Sequence, residues 1–289
     1  MSLIHKFELL AEVKSGNIGI GLGSSELHNQ KILIASQNFL KKFSSRVYIF
    51  GNKDFINQIS KDIPSKYDSK LFFIESFEPE KDIFDYLEKN TINAIVRGSL
   101  SSSKFLVHSK NYLNLKTIKR LALLETVNGH QFFYGPVGID ECNNKESKLE
   151  FIESSIKQLE NLGIEPLISV LSGGRIGDIG RNKKIDKSIR EGEEVVDSIK
   201  RRYPKLNITH DEILIENAVA NKSNLIIAPE GISGNLIYRT LVHLGGGRAY
   251  GAIYMVDDHK THSKIIIDTS RVGKLSEIQG ALLLALALS

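Results

Sequence analysis

Three segments of the chain put small, polar and cationic residues where a phosphate or carboxylate can be held. The first is Ser172-Gly173-Gly174-Arg175-Ile176-Gly177-Asp178-Ile179-Gly180-Arg181, between an apolar run at Leu167–Leu171 and a helical pattern from Lys183. A glycine-rich turn at the carboxyl end of a parallel strand exposes backbone N–H groups near a helix N-terminus, which is an anion seat. Arg175 and Arg181 add forked donors suited to phosphate or carboxylate. A βα loop whose arginines merely face water is the competing explanation. The second segment, Ala228-Pro229-Glu230-Gly231-Ile232-Ser233-Gly234-Asn235, again runs from a strand pattern into a helix. Ser233 or Asn235 is expected to cap that helix, with other amides left for a ligand. The third is Asp268-Thr269-Ser270-Arg271, with Glu277 in the last helix. Arg271 suits charge building on a transferring group and Glu277 suits a base, although a surface salt bridge would use the same residue types.

Other clusters are less specific. Gly16-Asn17-Ile18-Gly19-Ile20-Gly21-Leu22-Gly23-Ser24 has a Gly19-x-Gly21-x-Gly23 core similar to the nucleotide loop of S-adenosylmethionine-dependent methyltransferases. No strand is legible ahead of it, and the dinucleotide fingerprint fails because Ser24 stands where its last glycine belongs. Asp257-Asp258-His259-x-x-His262 has metal-capable side chains but no second cluster to close a site, so no metal is expected. Cys142, the single cysteine, stands beside Asp140 and Glu141, which disfavour a thiolate; it forms no intrachain disulfide and suits a reducing compartment. No Walker A, HExxH or nucleophile-elbow sequence occurs.

These segments need a scaffold, and the apolar patterning supplies one. Strands are expected at Arg46–Phe50, Leu71–Ile74, Ile92–Val96, Leu121–Leu124, Phe132–Val137, Leu167–Leu171, Asn224–Ala228, Tyr250–Val256 and Lys264–Asp268. Helices are expected at Gln30–Phe43, Lys81–Lys89, Lys145–Leu162, Lys183–Arg202, Asp211–Ala220 and Gly234–Leu244. Apolar strands alternating with helices imply parallel sheet covered on both faces. The last two strands, joined by a short polar link, suggest a hairpin or a crossing between domains.

The 289 residues are enough for two cores, and 41% hydrophobic with 25% charged is an ordinary globular balance. The net charge of +4 is spread along the chain, not gathered into the basic face of a nucleic-acid binder. Basic residues cluster only at Lys183-Lys184 and Lys200-Arg201-Arg202, the two ends of one expected helix, where a solvated face or a small anionic ligand would account for them. The start of the chain lacks a signal-peptide core. Ala281–Leu288 is far short of the roughly 20 residues of a membrane span and reads as a buried terminal helix. A cytoplasmic protein is the expectation.

Taken together, Asn224 to Arg239 with Leu244-Gly245-Gly246, the Asp268-Thr269-Ser270-Arg271 segment, Gly98-Ser99-Leu100-Ser101-Ser102-Ser103 and Leu171-Ser172 resemble the phosphate acetyl/butyryltransferase family, in the right order from about Ile92 onward. Ser172–Arg181 and Tyr134-Gly135-Pro136-Val137-Gly138-Ile139-Asp140-Glu141 are similar to a narrower group. This is the archaeal methanogenesis marker protein 4, or Mtx subunit X, group, whose label is that of a methyltransferase subunit. The resemblance implies a methanogen source and two doubly wound α/β domains of the isocitrate/isopropylmalate dehydrogenase-like, phosphotransacetylase type. The expected domains are 1–135 with 258–289, and 136–257.

The resemblance further implies a cleft between the domains that collects Ser99, Ser101, Ser172, Gly173, Gly174, Arg175, Arg181, Glu230, Asn235, Ser270, Arg271 and Glu277 around a small anionic metabolite. A homodimer, and a methyltransferase partner subunit, are in keeping with it. Nucleic acid and membrane are not. Coenzyme A, S-adenosylmethionine or a methanogenic methyl carrier would be the cofactor. Glu230 and Glu277 stand where the transacetylases carry aspartates, which separates fold from chemistry. Three functions follow: transfer of an acyl group between phosphate and coenzyme A, methyl transfer, or non-catalytic binding of a regulatory metabolite.

Overall fold

The computed structural model describes residues 2–61, 63–256 and 265–289. The Asp257–His262 cluster therefore lies outside the described residues. The chain forms two compact units, Met1–Ile118 with Ala249–Ser289, and Lys119–Arg248. These limits differ from the sequence expectation at both ends. Strands near 121 and 132 fall in the second unit, and most of the strand near 250 falls in the first.

Unit 1 contains helix α1 (Leu3–Glu12), strand β1 (Asn17–Gly21), α2 (Glu26–Lys42), β2 (Arg46–Gly51), α3 (Lys53–Ile59) and β3 (Leu71–Glu75). It continues with α4 (Pro79–Glu88), β4 (Ala94–Val96) and α5 (Ser102–Leu113). Unit 2 contains β5 (Lys119–Glu125), β6 (Gln131–Gly135), α6 (Lys145–Asn161), β7 (Leu167–Leu171), α7 (Lys183–Arg202) and β8 (Asn207–Glu212). It ends with α8 (Ile215–Ala220), β9 (Leu225–Ile227) and α9 (Gly231–Arg239), which runs on through a π-helical turn to Leu244. The chain then returns to unit 1 with β10 (Arg248–Met255), β11 (Ile265–Asp268) and α10 (Leu275–Leu288).

In unit 1 the strand order is β3-β2-β1-β4-β11-β10, parallel except where β10 runs against β11. In unit 2 it is β5-β6-β9-β7-β8, parallel except for the β5–β6 hairpin. The parallel sheet expected from the apolar strands is thus found as mixed sheet: the antiparallel β5–β6 pair was not expected, whereas the antiparallel β10–β11 pair fits the hairpin suggested for the last two strands. Hairpin strands buried on both faces read as apolar runs just as parallel ones do, so patterning does not report direction.

The glycine cluster near the N-terminus is the largest correction. Asn17–Gly21 is itself a strand, buried from Ile18 onward and paired with β2 on one side and β4 on the other. A Cβ on Gly21 would lie 2.2 Å from Leu100 and one on Gly19 2.6 Å from Ile92, so these glycines make room for core side chains. Only Leu22–Ser25 is loop, and Ser25 then caps α2. The helix expected over 211–220 is also corrected: β8 extends to Glu212 and α8 starts at Ile215. This edge strand buries only Ile208 and is otherwise polar, so no hydrophobic period marks it. The apolar C-terminal run is the expected buried helix: Ala281, Leu282, Leu284, Ala285 and Leu286 are fully buried in α10, which packs on α1 and α2. No helix among the described residues is long and apolar enough to cross a membrane.

Candidate functional site

Parallel pairing of β1, β4 and β11 brings their carboxyl ends side by side, and that is where a ligand binds an open α/β sheet. Three loops leave these ends: Leu22–Ser25, Arg97–Ser101 and Thr269–Lys274. A buried arginine knits two of them together. Arg97 donates through Nε to Asp268 Oδ1, through Nη2 to the carbonyl of Thr269, and through Nη1 to the Leu100 carbonyl at 2.8 Å. Thr269 Oγ1 donates to the Gly98 carbonyl at 2.9 Å. Gly98 has φ of +64°, and a Cβ there would sit 2.3 Å from the Gly21 carbonyl, so the close approach of the loop after β4 to the end of β1 needs glycine.

Ser99 is brought to this place, but its hydroxyl is already committed. It donates to Asn29 Oδ1 at 2.7 Å and accepts from the Gly23 amide at 2.7 Å. Asn29 Nδ2 closes the ring on the Gly23 carbonyl at 2.8 Å. Ser99 therefore fixes the loop ahead of α2. Ser101, two residues on, is the N-cap residue of α5, yet its side chain makes no cap bond; its Oγ lies 3.3 Å from Ser103 Oγ. The first-turn amides of α5 are thus left without a capping side chain, beside exposed Ser102 and Ser103. No acid stands in that first turn. A carboxylate from α4 does reach this terminus: Glu80 Oε1 accepts from the Ser101 amide at 3.2 Å.

Arg271 is exposed and has no hydrogen-bond or ion-pair partner among the described residues. Its loop is held from beneath by Glu277, 2% exposed, whose Oε1 accepts from the Ser270 amide at 2.6 Å. The Ser270 hydroxyl accepts from the Val272 amide at 3.3 Å, closing the turn that presents Arg271. Glu277 positions this turn and is sealed from solvent, which is poor placement for a base that must meet a substrate.

In unit 2 the sequence-predicted residues divide. Ser172, 1% exposed, donates to the Gly174 carbonyl at 2.9 Å and lies 2.9 Å from His210 Nε2. The Gly173 amide is taken by Ser188 Oγ at 2.8 Å. Arg175 and Arg181 are both exposed. Asp178 joins them: it accepts from the Arg175 amide at 2.9 Å and from Arg181 Nη1 at 2.5 Å. The Arg175 amide first, and Arg181 second, hold the Asp178 carboxyl below its usual range. Arg175 is left as the arginine of this loop with an uncommitted guanidinium.

Glu230, not Ser233 or Asn235, caps α9. Its carboxylate accepts from the Ile232 amide at 2.7 Å and the Ser233 amide at 2.9 Å. Burial pushes the carboxyl up, but these bonds outweigh it and hold Glu230 below the ordinary range. The amides that a phosphate would use there already hold the chain's own anion. Asn235 Nδ2 donates to the Val137 carbonyl at 2.8 Å. The Gly-Pro-Val-Gly stretch and the Gly231–Asn235 turn are in fact one packing unit. A Cβ on Gly231 would meet the Gly138 carbonyl at 1.9 Å, and one on Gly234 the Pro136 carbonyl at 2.0 Å. Burial, then Glu141, raises the Cys142 thiol far out of reach of a thiolate at neutral pH.

Sequence reasoning missed Arg97, Asn29, His28 and His210. A cation directly after the apolar run Ala94–Val96 was the available signal for Arg97, since a charge at the end of a buried strand needs a partner. His28 is 2% exposed and its Nε2 has no hydrogen-bond partner among the described residues. Burial, then Lys31 and Arg97, brings its pKa down to about 4, so the ring is neutral at physiological pH. No group of three or more metal-capable side chains gathers among the described residues.

This mixed α/β fold is similar to that of solved phosphotransacetylase structures. The structure matches a phosphotransacetylase from Streptococcus pyogenes with a TM-score of 0.72, at 15% identity over 99% of this chain and 98% of that one. It matches a branched-chain phosphotransacylase from Enterococcus faecalis with a TM-score of 0.68, at 16% identity over 94% and 98%. At such identities the likeness is one of fold. No family model matches the sequence. A Methanosarcina barkeri protein named "Putative methyltransferase mtx subunit X" is 45% identical over 263 residues, 90% of each chain. The protein of that name from Methanosarcina mazei is 38% identical over 288 residues, 100% of this chain and 95% of its own. The chain belongs to the Mtx subunit X family, as the motifs at Tyr134–Glu141 and Ser172–Arg181 implied.

Proposed function

We propose that this chain holds an anionic, phosphate-bearing small molecule at the carboxyl ends of the unit 1 strands and serves as the ligand-binding subunit of a methyl-transfer system. The observation that carries the binding reading is the convergence of three parallel strand ends on the uncapped N-terminus of α5, on the sheet whose β11 leads into the partner-free Arg271. The amides of Ser102 and Ser103 would hold the anion and Arg271 would neutralise it. The methyl-transfer reading rests on the name carried by the Methanosarcina relatives. It brings with it a partner subunit, a homodimer and a cytoplasmic location as parts of the same proposal.

Acyl transfer between phosphate and coenzyme A is the second reading, favoured by the phosphotransacylase-like fold. The burial of Glu277 and its bond to the Ser270 amide weigh against it, because that carboxylate would have to deprotonate the thiol. A regulatory, non-catalytic role uses the same binding residues without turnover.

Calorimetry against phosphate, acetyl phosphate, coenzyme A, S-adenosylmethionine, a tetrahydropterin and a corrinoid separates these. Arg271→Ala is expected to weaken binding of the phosphate-bearing ligand by about tenfold or more, the scale of one charge-assisted hydrogen bond. Turnover of acetyl phosphate and coenzyme A to acetyl-coenzyme A would overturn methyl transfer. Unchanged affinity in Arg271→Ala would overturn the assignment of the anion seat.

A further inference from the structure

Helix α9 has its polarity reversed. A helix that packs on a sheet buries an apolar stripe and shows polar residues to water. The residues that α9 buries are instead Gly231 and Gly234, set against the backbone carbonyls of Gly138 and Pro136. Asn235 also turns inward, donating to the Val137 carbonyl at 2.8 Å. Ile237 and Tyr238 are half-buried. The other large apolar side chains face out: Ile232 is 59% exposed and Leu236, one turn on, 60%.

The apolar row runs past the helix. Leu244, at the end of the π-helical turn, is exposed, as is Thr240 before it, so the row repeats every four residues from Ile232. Such spacing drifts around an α-helix, and the wider π-helical turn offsets the drift. The glycines that follow lie on the β5–β6 turn, where a Cβ on Gly246 would sit 3.4 Å from exposed Val127. One exposed leucine needs no explanation, but an apolar row on a helix whose inner face is glycine is a surface shaped to be covered.

The charges around the row say what covers it. Across 231–247 the one acidic or basic side chain, histidine aside, is Arg239, and the turn at 126–130 has none. Arg248, at the edge, is paired with Glu125 at 3.5 Å. Arg239 is exposed in the last turn of α9, with no side-chain partner among the described residues. Glu230, half-exposed, caps the first turn. An acid at one end, a cation at the other and an apolar row between them complement a second such helix laid antiparallel, which is the arrangement a two-fold axis makes. A strongly charged partner would find no matching field here.

We propose that the outer face of α9 is a two-fold interface between two copies of this chain, with Leu236 near the axis and Arg239 of each copy reaching Glu230 of the other. The helix is about 13 Å long, so antiparallel packing brings each arginine within side-chain reach of the opposite helix start. The interface gives the proposed homodimer its surface but depends on no ligand, so it stands or fails apart from the anion seat.

Sedimentation of the full chain tests it. At micromolar concentration the native chain should have twice its monomer mass of 32.3 kDa. Leu236→Asp should raise the dissociation constant of the dimer by about a hundredfold or more, and Arg239→Glu by about tenfold, with native circular dichroism in both. Arg271→Ala should leave association within about twofold while weakening the ligand. Should Leu236→Asp fail to fold, Leu236→Cys keeps the test: a short bis-maleimide should join two copies at that position, and should not join two copies of Val107→Cys, which is exposed on α5. A monomeric native chain would overturn the interface. So would a dimer that Leu236→Asp leaves intact, or one that Leu236→Cys does not cross-link. Open-ended assembly of the native chain would overturn the two-fold axis.

Discussion

His28 lies in the first turn of α2, almost wholly buried, close enough to Lys31 and Arg97 for both to disfavour its protonation. With a folded pKa of about 4 against an ordinary 6.5, the unfolded chain binds a proton in this window that the folded chain does not. Stability therefore falls as pH drops from above 6.5 towards 4, and rises in the other direction. Between pH 7.5 and 5 this one residue is expected to cost about 2 kcal/mol. Urea unfolding of the native chain and of His28→Gln over that interval checks it: the variant should lose that part of the pH slope. An identical slope in both would mean that the ring is solvated. The same neutral ring also keeps a third positive charge away from the crowded strand ends.

At the scale of elements, α6 and α7 are joined by an ion pair that neither helix could carry alone. Lys148 shows 2% of its side chain to solvent and meets Glu191, at 16%, at 2.6 Å. Removing one partner leaves a charge with no water to solvate it. Glu191→Ala is expected to cost about 3 kcal/mol in thermal or urea unfolding, and Lys148→Met with Glu191→Leu should recover most of the loss. A loss under about 1 kcal/mol for the single variant would place the pair in the weak, solvated class. Helix α9 shows the same economy at its N-terminus. Glu230 satisfies its free amides, and Gly231 and Gly234 let it sit against the backbone of Pro136 and Gly138. The family-like Gly-x-x-Gly-Asn run is therefore, in this chain, a packing device as much as a ligand loop.

At the scale of the molecule, the two units are built from the chain in different ways. Unit 2 is one continuous stretch, Lys119–Arg248, with fully buried Phe133, Phe151, Ile168, Val170, Ile189 and Ile226. Unit 1 needs both ends of the chain, because β10, β11 and α10 return to complete it. A fragment of Lys119–Arg248 is expected to unfold cooperatively in calorimetry. The truncation Met1–Arg248 should retain only that transition, since it lacks α10 and exposes the faces of α1 and α2 that α10 covers. Two surviving transitions in the truncated chain would show that unit 1 does not rely on its C-terminal return. Arg97 bonds Asp268 across 171 positions, and the seat that includes Arg271 would be lost with the same truncation.

Apolar runs of strand length and helical stripes made most elements legible, because burial is written directly into residue type. The glycine-rich turn before α7, the buried C-terminal helix and the family motifs were legible for the same reason: each is local. What the sequence left open was every question answered by a residue far along the chain. Gly19 and Gly21 read as loop until Ile92 and Leu100 are seen to need the space of their missing side chains. Ser99, Glu230 and Asn235 read as ligand groups until Asn29, the α9 amides and the Val137 carbonyl are found to hold them. Arg271 stands out by the opposite test, since no group among the described residues was brought to meet its guanidinium, whereas the N-cap amide of α5 already meets Glu80. Residue type sets what a group can bind, whereas tertiary contact decides whether the protein has already bound it.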